Sequence, residues 1–396
     1  MKILFLVSRV PFALDKGDKL RAFHQLKYLS RHHEILLFAL CDEAVPAGAK
    51  EALAAFCHEV VICPISRLGA VWNMTKGVPR SMPFQVAYFY NKHAQQVLDA
   101  LVHRFQPDHI FCQLVRMAPY VRQYRHIPKT LDYMDAFSKG VERRLQTVSL
   151  LRKPFFFLEY KRLQRYEARQ FGLFNTKIII SEQDRFFIQH PRKYNIAVVP
   201  NGVDAAYFQP VAGEKEFHVL FSGNLSYPPN VDACAFLVRK VLPLVLPHFP
   251  QLRVLLAGKD PAPEVRALTG ENIVVRANLP DIREAYRAAR IFVAPLFLGS
   301  GLQNKILEAM AMGVPCITTR QVNNALGARK AEHILLADNA QGFAAHILYL
   351  LHHPQEGELM AAQAKMLVER HYNWDHINSG LENLLTAASH TLLSGR

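Results

Sequence analysis

The stretch Ile291-Phe292-Val293-Ala294-Pro295-Leu296-Phe297-Leu298-Gly299-Ser300-Gly301-Leu302-Gln303-Asn304-Lys305-Ile306-Leu307-Glu308-Ala309-Met310-Ala311-Met312-Gly313-Val314-Pro315-Cys316-Ile317-Thr318 reads as one strand–helix–strand passage. A continuous apolar run through Leu296 predicts a strand covered on both faces, because a half-exposed strand would alternate instead. The Gly-Ser-Gly turn then breaks the pattern. A helix is expected from about Leu302–Lys305, with Gly313 as its stop and Pro315 ahead of the next strand.

The same grammar recurs along the chain. Apolar runs stand at Ile3–Val7, Ile35–Ala39, Val60–Ile65, His109–Cys112, Thr130–Tyr133 and Lys177–Ile180. A second series stands at Val219–Ser222, Val254–Ala257, Ile273–Val275, Ile291–Ala294, Cys316–Thr318 and Ile334–Leu336. Helix-like stretches separate them, so right-handed parallel βαβ units are expected. The series pauses near residues 200–216, which are rich in turn formers and charge. The fold class is therefore α/β, with two doubly wound Rossmann-like domains, 1–205 and 206–374. The helix of residues 375–396 is expected to pack back on the first. Ligands of such sheets bind beyond the carboxyl ends of the strands, so a cleft between the domains is the expected site.

Composition narrows the classes. The 396 residues are 50% hydrophobic and 20% charged, which excludes a disordered chain. The formal charge of +14 falls wholly in residues 1–200, with 30 basic and 16 acidic side chains. That asymmetry reads either as a face toward an anionic partner or as solvated helix surfaces. No apolar run reaches about 18 residues, so any membrane contact is expected to be peripheral. No two of the six cysteines are spaced as CxxC, and most sit in apolar runs. They are expected to be buried, reduced thiols of a cytoplasmic protein. No metal-ligand cluster appears, so no essential metal is expected.

Three further segments carry chemistry. After the first strand, Lys16-Gly17-Asp18-Lys19 opens a helix, where free backbone N–H groups attract an anion. An ordinary turn capped by Asp15 or Asp18 explains the segment equally well. Asp132 and Asp135 end another strand, either as paired carboxylates facing a cleft or as caps of the next helix. Leu150-Leu151-Arg152-Lys153-Pro154-Phe155-Phe156-Phe157-Leu158 precedes Lys161, Arg162, Arg165 and Arg169. Aromatics beside cations suit an interface with anionic lipid; a packed apolar run with a solvated basic face is the alternative. Val71-Trp72, Met82-Pro83-Phe84 and Tyr88-Phe89-Tyr90 form a second aromatic cluster with the same two readings.

In the opening passage, Gly299 and Gly301 let backbone N–H groups approach a phosphate or sugar. Lys305 supplies a cation near the helix start, and Glu308, one turn on, can accept two hydroxyls. Taken with Val198–Asp204, Phe221-Ser222-Gly223-Asn224-Leu225 and Leu255-Leu256-Ala257-Gly258, this passage resembles the GT-B retaining glycosyltransferases that use nucleotide sugars. That large family includes sucrose synthases and phosphatidylinositol mannosyltransferases. Lys16–Lys19 and Ser226-Tyr227-Pro228-Pro229-Asn230-Val231-Asp232 look like the exopolysaccharide-associated subgroup. The resemblance spans nearly the whole chain.

It implies sugar transfer from a nucleotide diphosphate sugar to a glycan or polyprenyl-phosphate-linked acceptor at an anionic membrane, without nucleic acid. It implies an N-terminal acceptor domain and a C-terminal donor domain. Glu308 would bind ribose, and the amides at Gly299, Ser300, Gly301 and Leu302 would meet sugar and phosphates. Gly223 and Asn224 would lie at the diphosphate and Arg276 and Asn278 at the base. Lys16 and Gly17 would close over the diphosphate, and Asp132 would contact the donor sugar. Asp132, Lys305 and Ser300 are the expected catalytic residues.

The chain departs from the family pattern where a first glutamate would stand, at Ser300, and where an arginine would stand, at Asn224. A typical lysine position falls at Pro229-Asn230, and Lys305 is a candidate replacement. These departures leave open a non-catalytic partner subunit. A GT-B sugar-nucleotide epimerase is a second alternative.

Overall fold

The computed structural model of the 396-residue chain describes all residues except 15, 78–81, 205, 211–212, 298–300 and 394–396, and the side chains of 75–77, 146–147 and 390–393. The chain divides into two compact units, Met1–Pro200 with Asp375–Arg396, and Asn201–Trp374.

Unit 1 holds β1 (Lys2–Val7), β2 (Glu34–Cys41), β3 (Glu59–Pro64), β4 (His109–Gln113), β5 (Lys129–Asp132), β6 (Thr176–Ile179) and β7 (Ala197–Val198). They form one sheet in the order β3-β2-β1-β4-β5-β6-β7, parallel throughout. Leu4 and Leu6 face one buried cluster, while Ile3, Phe5 and Val7 face another. That two-sided burial is why the strand sequence is continuously apolar. The second cluster includes Ile377, Leu381 and Leu385 of the helix Trp374–Leu393. Asn378 Nδ2 donates to the His24 carbonyl at 3.1 Å, and the Ser389 hydroxyl lies 3.1 Å from the His109 ring.

Unit 2 holds β8 (Phe217–Asn224), β9 (Val254–Lys259), β10 (Ile273–Ala277), β11 (Ala289–Ala294), β12 (Cys316–Thr318) and β13 (Leu335–Leu336). Their order is β10-β9-β8-β11-β12-β13, again parallel. Every apolar run named from the sequence becomes a strand. The two-residue edge strand β7 has no counterpart among those runs.

All six cysteines are buried and unpaired. Among the described residues, no helix is long and apolar enough to cross a membrane. The aromatic segments separate into two kinds. Phe84 and Phe89 are buried, whereas Trp72, Leu150, Leu151, Phe155 and Phe157 are exposed, Leu151 at 94%.

Candidate functional site

The β8 end of unit 2 is built on close backbone approach. Gly223 and Gly258 pair across β8 and β9, with φ of +148° and +154°. A Cβ on Gly258 would stand 1.7 Å from the Gly223 carbonyl oxygen, so only hydrogen fits. A Cβ on Gly223 would stand 3.0 Å from Lys305 Nζ and 3.0 Å from Asn230 Nδ2. The missing side chain therefore leaves room for a lysine head beside the strand end.

Lys305 lies in the first turn of the helix Asn304–Ala311, directly after β11 and its loop. Its ammonium donates to Asn230 Oδ1 at 2.5 Å and sits 4.9 Å from the Phe221 ring centroid. Asn230 Nδ2 donates to the Asn224 carbonyl at 2.7 Å, which ties the cradle to the end of β8. Burial pushes the Lys305 pKa down to about 8, with the Cys234 thiol and Glu308 opposing the shift.

Glu308 follows one turn on, half-buried on the same helix. The fully buried Tyr286 presents its hydroxyl 2.9 Å from Glu308 Oε2 and 3.2 Å from the Lys305 carbonyl. The Ser222 hydroxyl completes the row at 2.8 Å from the Tyr286 oxygen. Burial raises the Glu308 pKa, against the Tyr286 hydrogen bond and the Lys305 charge. The Tyr286 phenol is pushed well above its ordinary value by burial and then by Glu308, so it remains a donor. The carboxylate is thus aimed by an O–H···O row.

The expected site residues distribute unevenly. Lys305, Glu308, Gly223 and Asn224 come together at the carboxyl ends of the unit 2 strands. Gly301 follows the same β11 loop, its carbonyl accepting from Gln303 at 3.1 Å, and Leu302 is buried. Gly299 and Ser300 lie outside the described residues. The Asn224 side chain is occupied locally: Oδ1 accepts from the Ser226 amide at 2.9 Å and its hydroxyl at 2.7 Å. Asn278, with φ of +51°, accepts from the Asp260 amide at 3.0 Å and shapes the loop leaving β9.

Arg276 and Asp132 are both held by other side chains. Arg276 does not present its guanidinium at the strand ends. The side chain runs back along the sheet to Glu216, 2.8 Å away, and lies over Phe217, the first residue of β8. Asp132 is no open carboxylate. It is fully buried, with Oδ2 2.5 Å from Arg21 Nε and 3.2 Å from Gln25 Nε2, while Oδ1 accepts from the Met134 amide at 3.0 Å. Arg21, also fully buried, donates on to the Pro200 carbonyl at 3.0 Å. This is a tie between β5 and the end of unit 1, made inside the unit.

Lys16 and Gly17 open the helix Gly17–Leu29 in unit 1. Lys16 is the N-cap and offers no side-chain cap, and Gly17 is exposed. Asp18 pairs with Arg9 at 2.8 Å.

Sequence reasoning missed Tyr286, Ser222 and the binding role of Asn230. Asn230 belongs to the Pro229-Asn230 pair where the resemblance expects a lysine, and its side-chain oxygen accepts from the ammonium of Lys305.

The Lys305 titration has a testable sign. A lysine whose native pKa lies below its unfolded value releases its proton first in the native state. Ligand-free unit 2 is therefore expected to gain stability as pH rises from about 8, since the unfolded chain then binds more protons. Lys305→Met should remove that rise in a melting series. An unchanged rise would place the titration elsewhere.

Comparison with known proteins bears on the fold. Residues 216–353 match the family model described as glycosyl transferases group 1. An uncharacterized 44.6 kDa protein in the cps region of Klebsiella pneumoniae is 20% identical over 380 residues, covering 88% of this chain and 90% of that protein. Sucrose-phosphate synthase from Thermosynechococcus elongatus superposes with a TM-score of 0.72 at 15% identity, over 100% of both chains. Anabaena HepE in complex with UDP and glucose superposes with a TM-score of 0.68 at 14% identity, over 98% of this chain and 100% of that one. At these identities the likeness shows the fold: two parallel-sheet Rossmann-like units of the GT-B type.

Proposed function

We propose that the protein is a retaining glycosyltransferase that moves a sugar from a nucleotide diphosphate sugar to a lipid-linked glycan acceptor in bacterial exopolysaccharide or cell-surface glycan synthesis. One observation carries the reading. Lys305 and Glu308 stand one helical turn apart, in the segment that matches the glycosyl transferases group 1 model. Glu308, held by Tyr286, accepts two ribose hydroxyls in this reading. Lys305 and the free N–H groups of its helix face the developing charge of the leaving diphosphate. Catalysis is then mainly positioning and electrostatic stabilisation. The UDP bound by HepE and the cps-region relative support a UDP-sugar and a polysaccharide context. Retention rests on the family resemblance alone.

The membrane part of the proposal rests on unit 1. Leu150, Leu151, Phe155 and Phe157 are exposed next to Arg152 and Lys153, and Lys161 stands over Phe157 at 5.7 Å. Apolar side chains flanked by cations suit the headgroup boundary of an anionic bilayer.

A two-part experiment tests the reading. Calorimetric titration with UDP-, GDP- and ADP-sugars should find one donor, and Glu308→Ala should weaken it about 100-fold, since hydrogen bonds to a charged group each contribute about 1.5–3 kcal/mol. Equal affinity in the variant would remove Glu308 from the site. Flotation with phosphatidylglycerol vesicles should carry the protein and fade with salt. Equal flotation on neutral vesicles would leave the +14 charge without that role. A second reading, a partner subunit that binds the donor without transferring it, is favoured by the occupied Asn224 side chain, which leaves that position without a cation. Donor binding with no sugar release to any acceptor would establish it.

A further inference from the structure

Unit 1 contains a buried cation that the proposed donor chemistry does not use. Arg116 follows β4 in the 3₁₀ turn Val115–Met117, and only 8% of it is exposed. Its guanidinium lies between two rings, 4.7 Å from the centroid of Phe89 and 4.9 Å from that of Phe137. Among the described residues, no acceptor takes a hydrogen bond from it, and its buried Nε has no partner. Leaving that buried Nε–H without an acceptor costs about 1–3 kcal/mol. The two rings offset part of that through cation–π attraction but take no hydrogen bond from Nε–H. Burial and the nearby Arg9 depress its pKa to about 10, while Asp18, Asp135 and Asp42 act on it in the opposite direction without bonding to it.

Its place in the sheet gives the second argument. The order β3-β2-β1-β4-β5 reverses direction between β1 and β4. The chain leaving β1 and the chain leaving β4 turn to opposite sides there, and the crevice between them is where doubly wound sheets bind ligands. Arg116 stands on the loop leaving β4. Gln113, the last residue of β4, donates to the Asp18 carbonyl at 3.0 Å, which ties it to the first turn of the helix Gly17–Leu29 that follows β1.

We infer that Arg116 is the anion-holding residue of a ligand site at the β1/β4 crevice of unit 1, and that its ligand carries a phosphate or carboxylate oxyanion. The planar fork of the guanidinium, which lies over the Phe89 and Phe137 rings, suits two-point contact with such a group. Identifying this ligand as the acceptor rests on the transfer reaction proposed above; the site itself does not.

The test uses the full-length chain labelled with ¹⁵N-arginine. Inorganic phosphate and acetate are the probes, and each is titrated in the Lys305→Met background so that the unit 2 cation does not contribute. One Nε–Hε signal, absent from Arg116→Lys, should move saturably. A response to phosphate identifies a phosphorylated ligand, and a response to acetate a carboxylate. Arg116→Met should melt no lower than the parent without anion, because it removes a buried N–H donor that has no acceptor. It should also weaken the anion-induced rise in melting temperature at least tenfold. A signal that stays fixed with both anions would overturn the proposal, and so would a lowered melting temperature with the anion response intact. A parallel UDP titration of the wild-type chain reads unit 2. Failure there, with the Arg116 response retained, would remove the donor reading and leave this one standing.

Discussion

Gly258→Ala is expected to abolish the native state of unit 2. The new methyl would stand 1.7 Å from the Gly223 carbonyl oxygen and 2.8 Å from its carbon, both main-chain atoms of a paired strand. No rotamer relieves a Cβ clash, and φ at this residue is +154°, a conformation that L side chains rarely adopt. Separating the ends of β8 and β9 would drive Gly223 into Lys305 and Asn230, which already pack at 3.0 Å from where its Cβ would be. The cost should exceed about 4 kcal/mol, the range reached only by strain or gross packing failure. Gly270→Ala is the control, since nothing lies within 4 Å of its added methyl. Chemical denaturation of the two variants should show the first unfolded or molten and the second unchanged. A Gly258→Ala protein with native melting and native donor binding would contradict the packing described for the strand ends.

Asp132→Ala should destabilise unit 1 rather than selectively stop a reaction. It would leave the Arg21 guanidinium, itself fully buried, without the carboxylate 2.5 Å away. Removing one partner of a buried pair costs about 3–5 kcal/mol. For a unit of this size that lowers melting on the order of 10 °C. Asp132→Asn keeps the shape and two of the acceptor contacts, so it should fall between the variant and the parent. Melting unchanged in both variants, with turnover lost, would return Asp132 to the chemistry and refute the structural role.

These two cases show which features a sequence exposes. The central strands were legible because they are buried on both faces, and Ile3–Val7 or Val219–Ser222 leaves an apolar run with no alternation. Ala197–Val198 was not, because two residues at a sheet edge carry no pattern. Lys305 and Glu308 were legible because they share one helix with the glycine loop that precedes it. Tyr286, Ser222 and Asn230 reach that helix from three other segments, and nothing in a linear reading joins them. Arg276 was assigned correctly to the end of β10, but its direction was decided by Glu216, sixty positions earlier. The Arg21–Asp132 pair spans 111 positions. An acidic residue after a strand reads alike whether it faces a ligand or a buried arginine.

The division of the chain at 200/201 and 374/375 has a consequence for synthesis. Unit 2 is one uninterrupted segment, so it can complete its sheet without the helix Trp374–Leu393. Unit 1 cannot. Its first two hundred residues emerge early, with part of the face of β1 and β2 bare until Ile377, Leu381 and Leu385 arrive to cover it. A chain made only as far as Trp374 therefore holds the whole segment of unit 2 and a unit 1 that lacks Ile377, Leu381 and Leu385. A single cut yields no intact unit 1, and a circular permutant that joins the two termini and opens the chain at 200/201 would make its segments contiguous.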